Sequence, residues 1–256
     1  LEAVEELTQK PMLRDEIREY LNPIYDLERL ISRISYQSAN PRDMVAFASS
    51  LEMIPYIRQI LQEFEAPILK QIFEDMDPLE DVTDLIKRAI TDEPPLAQKD
   101  GGIIREGYNA DVDKYRHSRT DGKKWLAELE AREKERTGIK TLKIKYSRVF
   151  GYALEVTNSF KDQVPDNYVR KQTLTNAERY ITQELKDLED LILGAEDRLY
   201  ALEYELFADV RDKVGKEVVR IQKTAKAIAA LDVFASLALV AERNNFVRPK
   251  INENGV

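Results

Sequence analysis

The chain has no cysteine among its 256 residues, a single histidine, a single tryptophan, and only nine glycines and ten prolines. The absence of cysteine excludes disulfide scaffolds, zinc sites built on thiolates and thiol nucleophiles. Glycine stands well below its usual share of about 7%, so few positions interrupt a helix. Together with 43% hydrophobic and 34% charged residues, this scarcity predicts a helix-dominated protein of one or two domains.

Signals for membrane insertion and secretion are also missing. No uncharged apolar run approaches the roughly 18 residues that span a bilayer, and the first residues lack the basic and apolar segments of a signal peptide. We therefore expect no membrane association. The chain begins at Leu1 and ends at Gly255-Val256 without a helix end or a charged tail, which predicts a piece of a longer protein.

Catalytic motifs are equally scarce. The phosphate-binding pattern G-x-x-x-x-G-K-[ST] is approached only from Gly102 to Gly107, where Tyr108 stands in place of the lysine. Neither G-x-G-x-x-G nor H-E-x-x-H occurs, and His117 lies among basic residues as an expected surface side chain. Carboxylates alternate with Lys and Arg as on solvated helix faces. The sequence predicts no catalytic site, no metal site and no cofactor.

The spacing of apolar residues divides the chain into helical and strand-like parts. Residues 183–214 carry an apolar residue every three or four positions, from Leu185 to Leu206, which is typical of a coiled-coil seam. Its expected partner is the preceding long helix, antiparallel to it, and a parallel homodimer is the alternative. The predicted segments are a helical core (1–107), an outgoing long helix (108–138), a β-rich part (139–182), a returning long helix (183–214) and a last helical part (215–256).

In the β-rich part the apolar period changes to two. Leu142, Ile144 and Tyr146 alternate with lysines, which predicts a strand. Three further strands follow, with turns at 147–151 and 175–177, so we predict a mainly α protein with a small β insertion (α+β) and a four-stranded antiparallel sheet. The six aromatic residues of this part are expected to form the sheet's own core rather than to stack on bases.

The β-rich part also differs in charge. Residues 139–182 contain eight Lys or Arg and four Asp or Glu, a net charge of +4, whereas the rest of the chain carries −12. A cationic segment on an acidic protein predicts attraction to a polyanion such as nucleic acid. The alternative is that these lysines only protect exposed strands from pairing with other chains.

Nine short segments resemble the MutS family of DNA mismatch-repair proteins, and the bacterial members in particular. They keep their order from end to end: Pro23–Leu30, Asp100–Ile104, Gly107–Asn109, Glu133–Gly138, Thr141–Lys143, Phe150–Tyr152, Gln172–Leu174, Asn176–Tyr180 and Leu231–Val233.

The resemblance implies a helical core, two lever helices and a β-rich clamp that closes over duplex DNA with the clamp of a second subunit. The family's mismatch-reading Phe-x-Glu motif and its P-loop are absent from this sequence. The resemblance thus implies a fragment that is not itself an enzyme, with ATP and Mg bound in a missing ATPase domain of the parent. The implied partners are double-stranded DNA, a second copy and a MutL-type protein, in the cytoplasm at the nucleoid.

The expected DNA contacts follow from strand direction. We expect the turns at 147–149 and 175–177 to lie together at the distal end of the clamp. The predicted phosphate contacts are Lys145, Ser147, Arg148, Thr175 and Asn176, and the side chains predicted to supply positive field from the flanks are Lys143, Lys171 and Arg179. All would contact the DNA backbone and not the bases. The alternative function is a structural coiled-coil arm whose β tip binds another protein.

Overall fold

The computed structural model describes residues 1–95 and 101–251 and divides the chain into two compact units. The first unit comprises the described residues of 1–105 and 204–256, and the second comprises 106–203. Asp100, which opens one of the segments named above, lies outside the described residues. The predicted fold class is confirmed: the described chain is mainly helical, with one four-stranded antiparallel sheet.

The first unit is built from short helices around one long apolar helix. Asn40 and Asp43 form the capping box of α4, with Pro41 at its first position, as the sequence predicts. The sequence predicts that this helix continues to about Met53 and kinks or restarts at Pro55. It ends at Leu51, and a new helix with Pro55 in its first turn begins at Ile54. The helices are α1 (Glu2–Gln9), α2 (Pro11–Leu21), α3 (Leu27–Ser35), α4 (Pro41–Leu51), α5 (Ile54–Leu61), α6 (Pro67–Asp75), α7 (Glu80–Ala89) and, later in the chain, α10 (Val218–Arg243).

Helix α10 is the centre of this unit. It contacts α1, α2, α3 and α6, and Ile221, Leu231 and Ala235 are fully buried on it. Within the described residues it is also the one helix long and apolar enough to cross a membrane by length and composition alone. Contact with four other helices is typical of a core helix, and a core helix can be long and apolar enough to meet the same criteria.

Two long helices, α8 (Ala110–Thr137) and α9 (Gln183–Lys216), form the frame of the second unit. Asn109 caps α8 by accepting hydrogen bonds from two backbone N–H groups, and Thr182 Oγ1 accepts from Leu185 N at 3.2 Å at the start of α9. The sequence predicts a break between two helices at Gly215, and the structure has it two residues later: α9 continues to Lys216 and the interruption falls at Glu217. A single glycine costs a helix only about 1 kcal/mol relative to alanine, so it does not by itself end one.

Within the second unit α8 and α9 run antiparallel, as predicted. Arg132 pairs with Glu184, Arg119 with Glu196 at 3.2 Å, and Arg116 with Glu203 at 2.6 Å, so later residues of α9 meet earlier residues of α8. The two helices approach each other closely at Gly122 and Ile192. A Cβ atom on Gly122 would lie 2.5 Å from Ile192 Cγ1, so this spacing requires glycine.

The sheet consists of β1 (Lys143–Ser147), β2 (Gly151–Thr157), β3 (Val169–Thr173) and β4 (Ala177–Ile181), in the order β1-β2-β4-β3. A 3-10 helix, Asn158–Gln163, follows β2. One face packs on the two helices, and its buried cluster joins sheet residues such as Leu154, Val156 and Tyr180 to residues of α8 and α9. The opposite face is open to solvent and carries Lys143, Lys145, Glu155 and Arg179.

Candidate nucleic-acid interface

The two turns of the sheet lie at opposite ends of it. Ser147 pairs with Gly151 at the β1–β2 hairpin, whereas Ala177 pairs with Thr157, at the far end of β2. Thr157 lies six residue steps along the strand from Gly151, a distance of about 20 Å. The prediction that both turns share one end is therefore wrong. The 3-10 helix and the loop after it carry the chain back to the hairpin end before β3 begins, so β4, and not β3, lies beside β2.

The end of the sheet that contains the β3–β4 turn forms a polar surface that we call the polar rim. Its members are Lys140, Thr141, Thr157, Asn158, Ser159, Thr175 and Asn176. Thr141 lies four residues beyond the end of α8, and its Oγ1 is 2.9 Å from Thr157 Oγ1. The rim thus joins the start of β1, the end of β2 and the β3–β4 turn, and none of its members is acidic.

Hydrogen bonds fix the rim from within. Thr157 Oγ1 is 3.1 Å from Ser159 Oγ. Asn158 donates twice to the neighbouring turn, from its backbone N to Asn176 O at 3.2 Å and from Nδ2 to Thr175 O at 3.1 Å. The Thr175 and Asn176 side chains remain exposed. The rim therefore presents hydroxyl and amide groups on a backbone that its own bonds hold in place.

The hairpin end has a different character. Arg148 is exposed in the turn, next to Val149 at 80% and Phe150 at 44% exposure, so two apolar side chains face solvent there. Ser147 Oγ accepts a hydrogen bond from Val149 N at 3.3 Å. Glu189 of α9 accepts from Tyr152 N at 3.2 Å, so an acidic side chain lies against this end of the sheet.

A row of polar side chains crosses all four strands on the open face of the sheet. Lys145 Nζ is 2.7 Å from Glu155 Oε1, and Arg179 Nε is 3.0 Å from Glu155 Oε2. Arg179 Nη1 also donates to Gln172 Oε1 at 3.1 Å. Partial burial alone would raise the pKa of Glu155, but the hydrogen bonds from Lys145 and Arg179 outweigh it and hold the pKa below its usual value.

Two carboxylates of α8 hold the covered side of the sheet against that helix. Glu130 Oε2 accepts from Ile144 N at 2.8 Å, and Glu133 Oε2 accepts from the Tyr168 hydroxyl at 2.6 Å and from Arg136 at 2.7 Å. Burial opposes ionisation of Glu133, yet the bonds from Arg136 and Tyr168 keep its pKa below the usual value. Burial and Glu178 raise the pKa of Tyr180, in the same cluster, to about 12.

The predicted DNA-contact residues thus fall into three groups. Thr175 and Asn176 belong to the polar rim, and Ser147 and Arg148 lie at the hairpin end. Four residues lie along the strands: Lys143, Lys145 and Arg179 on the open face and Lys171 at the bulge in β3. Among the described residues no carboxylate stands within ion-pair distance of Lys143, Arg148 or Lys171. Their role in DNA binding stays a prediction.

Sequence reasoning missed five members of the rim: Lys140, Thr141, Thr157, Asn158 and Ser159. The signal that could have found them is the polar run Thr157-Asn158-Ser159 directly after an alternating strand. In residues 1–95 and 101–251 no three His, Asp or Glu side chains stand together as a metal-binding group. His117 is exposed, with Nδ1 2.6 Å from Asp113 O of the preceding helical turn.

Comparison with known proteins finds relatives that match almost the whole length of the sequence. The family model described as MutS domain III matches residues 1–238. The DNA mismatch repair protein MutS of Lachnoclostridium phytofermentans is 63% identical over 99% of this chain and 27% of that protein. The proteins of the same name from Caldanaerobacter subterraneus subsp. tengcongensis and Acetivibrio thermocellus are 53% and 49% identical over 98% and 99% of the chain. The chain spans 29% of the length of each of these two.

Proposed function

This chain belongs to the MutS family, and from that premise we propose that its second unit grips duplex DNA through the phosphate backbone, without reading base sequence. The sheet acts as the clamp, and the polar rim is its contact surface. Helices α8 and α9 act as levers that couple the position of the clamp to ATPase domains outside these 256 residues.

The chemistry of the polar rim carries this proposal. Phosphate oxygens in protein–DNA complexes are bound by Lys and Arg, by Ser, Thr and Asn side chains and by backbone N–H groups. The rim collects three threonines, a serine, two asparagines and a lysine within one end of a sheet that carries a net +4 over residues 139–182. It has no acidic member, and no aromatic member that could stack on a base. These groups suit a backbone contact.

The remaining roles belong to the parent protein. We propose that the fragment is not an enzyme by itself, and that ATP and Mg bind in the part of the protein that lies outside this chain. A second copy would supply the opposing clamp, and a MutL-type protein would bind the assembled complex. The expected location is the cytoplasm, in association with the nucleoid.

Salt dependence is the decisive measurement. Fluorescence anisotropy of a matched duplex and of a duplex with one mismatch should give the same affinity, which falls between about 50 and 200 mM salt with a log–log slope of about −0.9 per phosphate contact. The double variant Lys140→Glu/Lys143→Glu should weaken binding to both duplexes equally. Lys70→Glu/Lys87→Glu changes the net charge by the same amount on the first unit, and should have the smaller effect.

Four results would contradict the proposal. Binding that ignores salt, or binding that requires another protein, would favour the alternative of a coiled-coil arm with a protein-binding β tip. A loss confined to the mismatched duplex in the Lys140→Glu/Lys143→Glu variant would contradict the backbone role. No binding of either duplex at the lower salt concentration would contradict the grip itself.

A further inference from the structure

Glu155 occupies an unusual position on the open face of the sheet. Each of its carboxylate oxygens is taken by a different cation, Oε1 by Lys145 from β1 and Oε2 by Arg179 from β4. Its side chain is 16% exposed, whereas Lys145 is 49% exposed. One carboxylate, in the middle of the sheet, therefore holds two of the cations that the sequence assigned to DNA.

The neighbouring Lys143 shows how a lysine on this face differs when Glu155 does not bind it. Lys143 lies directly opposite Glu155 in the β1–β2 register, on the same face as Lys145. Its side chain is exposed, and among the described residues no carboxylate stands within ion-pair distance of it. Two lysines two residues apart on one strand thus differ in their counter-ion: Lys145 shares a hydrogen bond with Glu155, whereas Lys143 interacts with Glu130 at longer range.

We infer that Glu155 is an internal counter-ion that competes with DNA phosphate for Lys145 and Arg179, and so limits the affinity of the sheet for duplex. This inference rests on the proposed function. A cation that already shares hydrogen bonds with a carboxylate must give them up to contact a phosphate. Fewer phosphates are then neutralised, and both the affinity and its salt dependence fall.

A limited grip fits a clamp that must also release DNA. Non-specific affinity comes almost entirely from phosphate neutralisation, so each cation withdrawn from the surface weakens the grip on every sequence alike.

Gln172 bonds to Arg179 from the other side, so Arg179 keeps one neutral partner when the carboxylate is removed. Because glutamine and glutamate have nearly the same shape, Glu155→Gln removes the charge at this position with little change of packing.

The test compares Glu155→Gln with Glu178→Gln in the 256-residue chain. Glu178 also lies in the sheet, at 15% exposure, next to Arg170 at 3.6 Å, but the register places it on the other face. Removal of Glu155 should free a cation for phosphate and raise duplex affinity about tenfold at about 50 mM salt, with a salt slope steeper by about 0.9. Glu178→Gln should give the smaller rise of a general charge change, with the slope unchanged.

A second pair of variants tests the same inference without altering Glu155. Lys143→Met should make the salt slope shallower by about 0.9, because it removes a free cation. Lys145→Met should leave the slope of the wild type unchanged, because Lys145 is engaged by Glu155. Circular dichroism and thermal unfolding establish that each variant is folded.

The outcomes separate this inference from the proposed function. Affinity that is unchanged or weaker in Glu155→Gln, or equal changes of slope in the two lysine variants, would overturn the counter-ion role while the clamp stands. In that case Glu155 would hold the two cations in position for DNA. A wild-type chain that fails to bind duplex at any salt concentration would overturn both.

Discussion

The two ends of the four-stranded sheet are made of the same strands but differ in chemistry. The hairpin end exposes Val149 and Phe150 and lies against Glu189 of α9. The polar rim at the other end exposes hydroxyl and amide groups and is held by bonds between its own members, such as those of Asn158. An end that rests on a helix can carry apolar residues, whereas an end suited to phosphate must keep its polar groups ordered and free.

This difference teaches that a turn's function depends on the end of the sheet at which it lies. From the sequence alone, Arg148 is the stronger candidate for a phosphate contact because it is basic, whereas Asn176 is an uncharged residue in a short turn. The sheet order places Asn176 in the polar rim and Arg148 about 20 Å away from it. Three predictions test how far this separation holds.

The largest expected effect concerns the support of the hairpin end by Glu189. Gly151 has φ +73°, and a Cβ atom there would lie 2.0 Å from Glu189 Oε1. Gly151→Ala should lower the free energy of unfolding of the second unit by about 2–3 kcal/mol, because left-handed backbone costs alanine about 1–2 kcal/mol and the bond to Tyr152 N is worth about 1 more. Denaturant titration followed by Trp125, the only tryptophan and a residue of α8, measures it.

Gly138 offers a matched control for this variant. It has φ +71° at the end of α8, and a Cβ atom there would meet nothing within 4 Å. Gly138→Ala should therefore lose only the backbone share, about 1–2 kcal/mol. Equal losses for the two alanine variants would show that Glu189 contributes nothing to the hairpin end, and the contrast between the ends would then rest on exposure alone.

A smaller effect is expected from charge reversal at each end. Lys140→Glu in the polar rim should weaken duplex binding about tenfold at about 50 mM salt, the value of roughly one phosphate contact. Arg148→Glu should change it less than about twofold, because the hairpin end lies farther from the rim than the screening length, which is about 14 Å at this salt concentration. Anisotropy titration of both variants against one duplex compares them directly. A larger loss for Arg148→Glu would restore the sequence-based assignment.

Local patterns in the sequence were sufficient to predict the elements. Asn40 and Thr182 each place a side-chain oxygen directly before an apolar period, which is the usual sequence signal of an N-cap, and each caps the helix that follows. The alternation from Leu142 to Tyr146 predicted a strand and its covered face, because successive side chains of a strand point to opposite sides. These inferences need only neighbours within a few residues.

The arrangement of the strands depends on contacts that sequence periodicity does not contain. Periodicity gives the face of a residue but not its partner on the next strand, so the pairing of Glu155 with Lys145 and Arg179 was not foreseen. For the same reason Tyr146 and Phe150, expected in the core, are 52% and 44% exposed. The segment 158–163 has no apolar period of either kind, and its 3-10 helix was missed.

The smallest expected effect is a pH dependence that originates at Glu133, the carboxylate that attaches Tyr168 to α8. Because its pKa is lowered in the folded state from 4.5, this bond stabilises the fold fully above that value, and the stability is lost as the pH falls through the folded pKa. Glu133→Gln should therefore reduce by about 1 kcal/mol the stability that the wild type loses on acidification below about pH 5. Denaturant midpoints followed by Trp125 at several pH values measure the difference.

Glu135→Gln, an exposed position on the same helix, should follow the wild-type curve. If Glu133→Gln also follows the wild-type curve, the attachment of Tyr168 does not depend on the charge of Glu133, and the neutral hydrogen bond and the packing of its ring are sufficient to hold the sheet on α8.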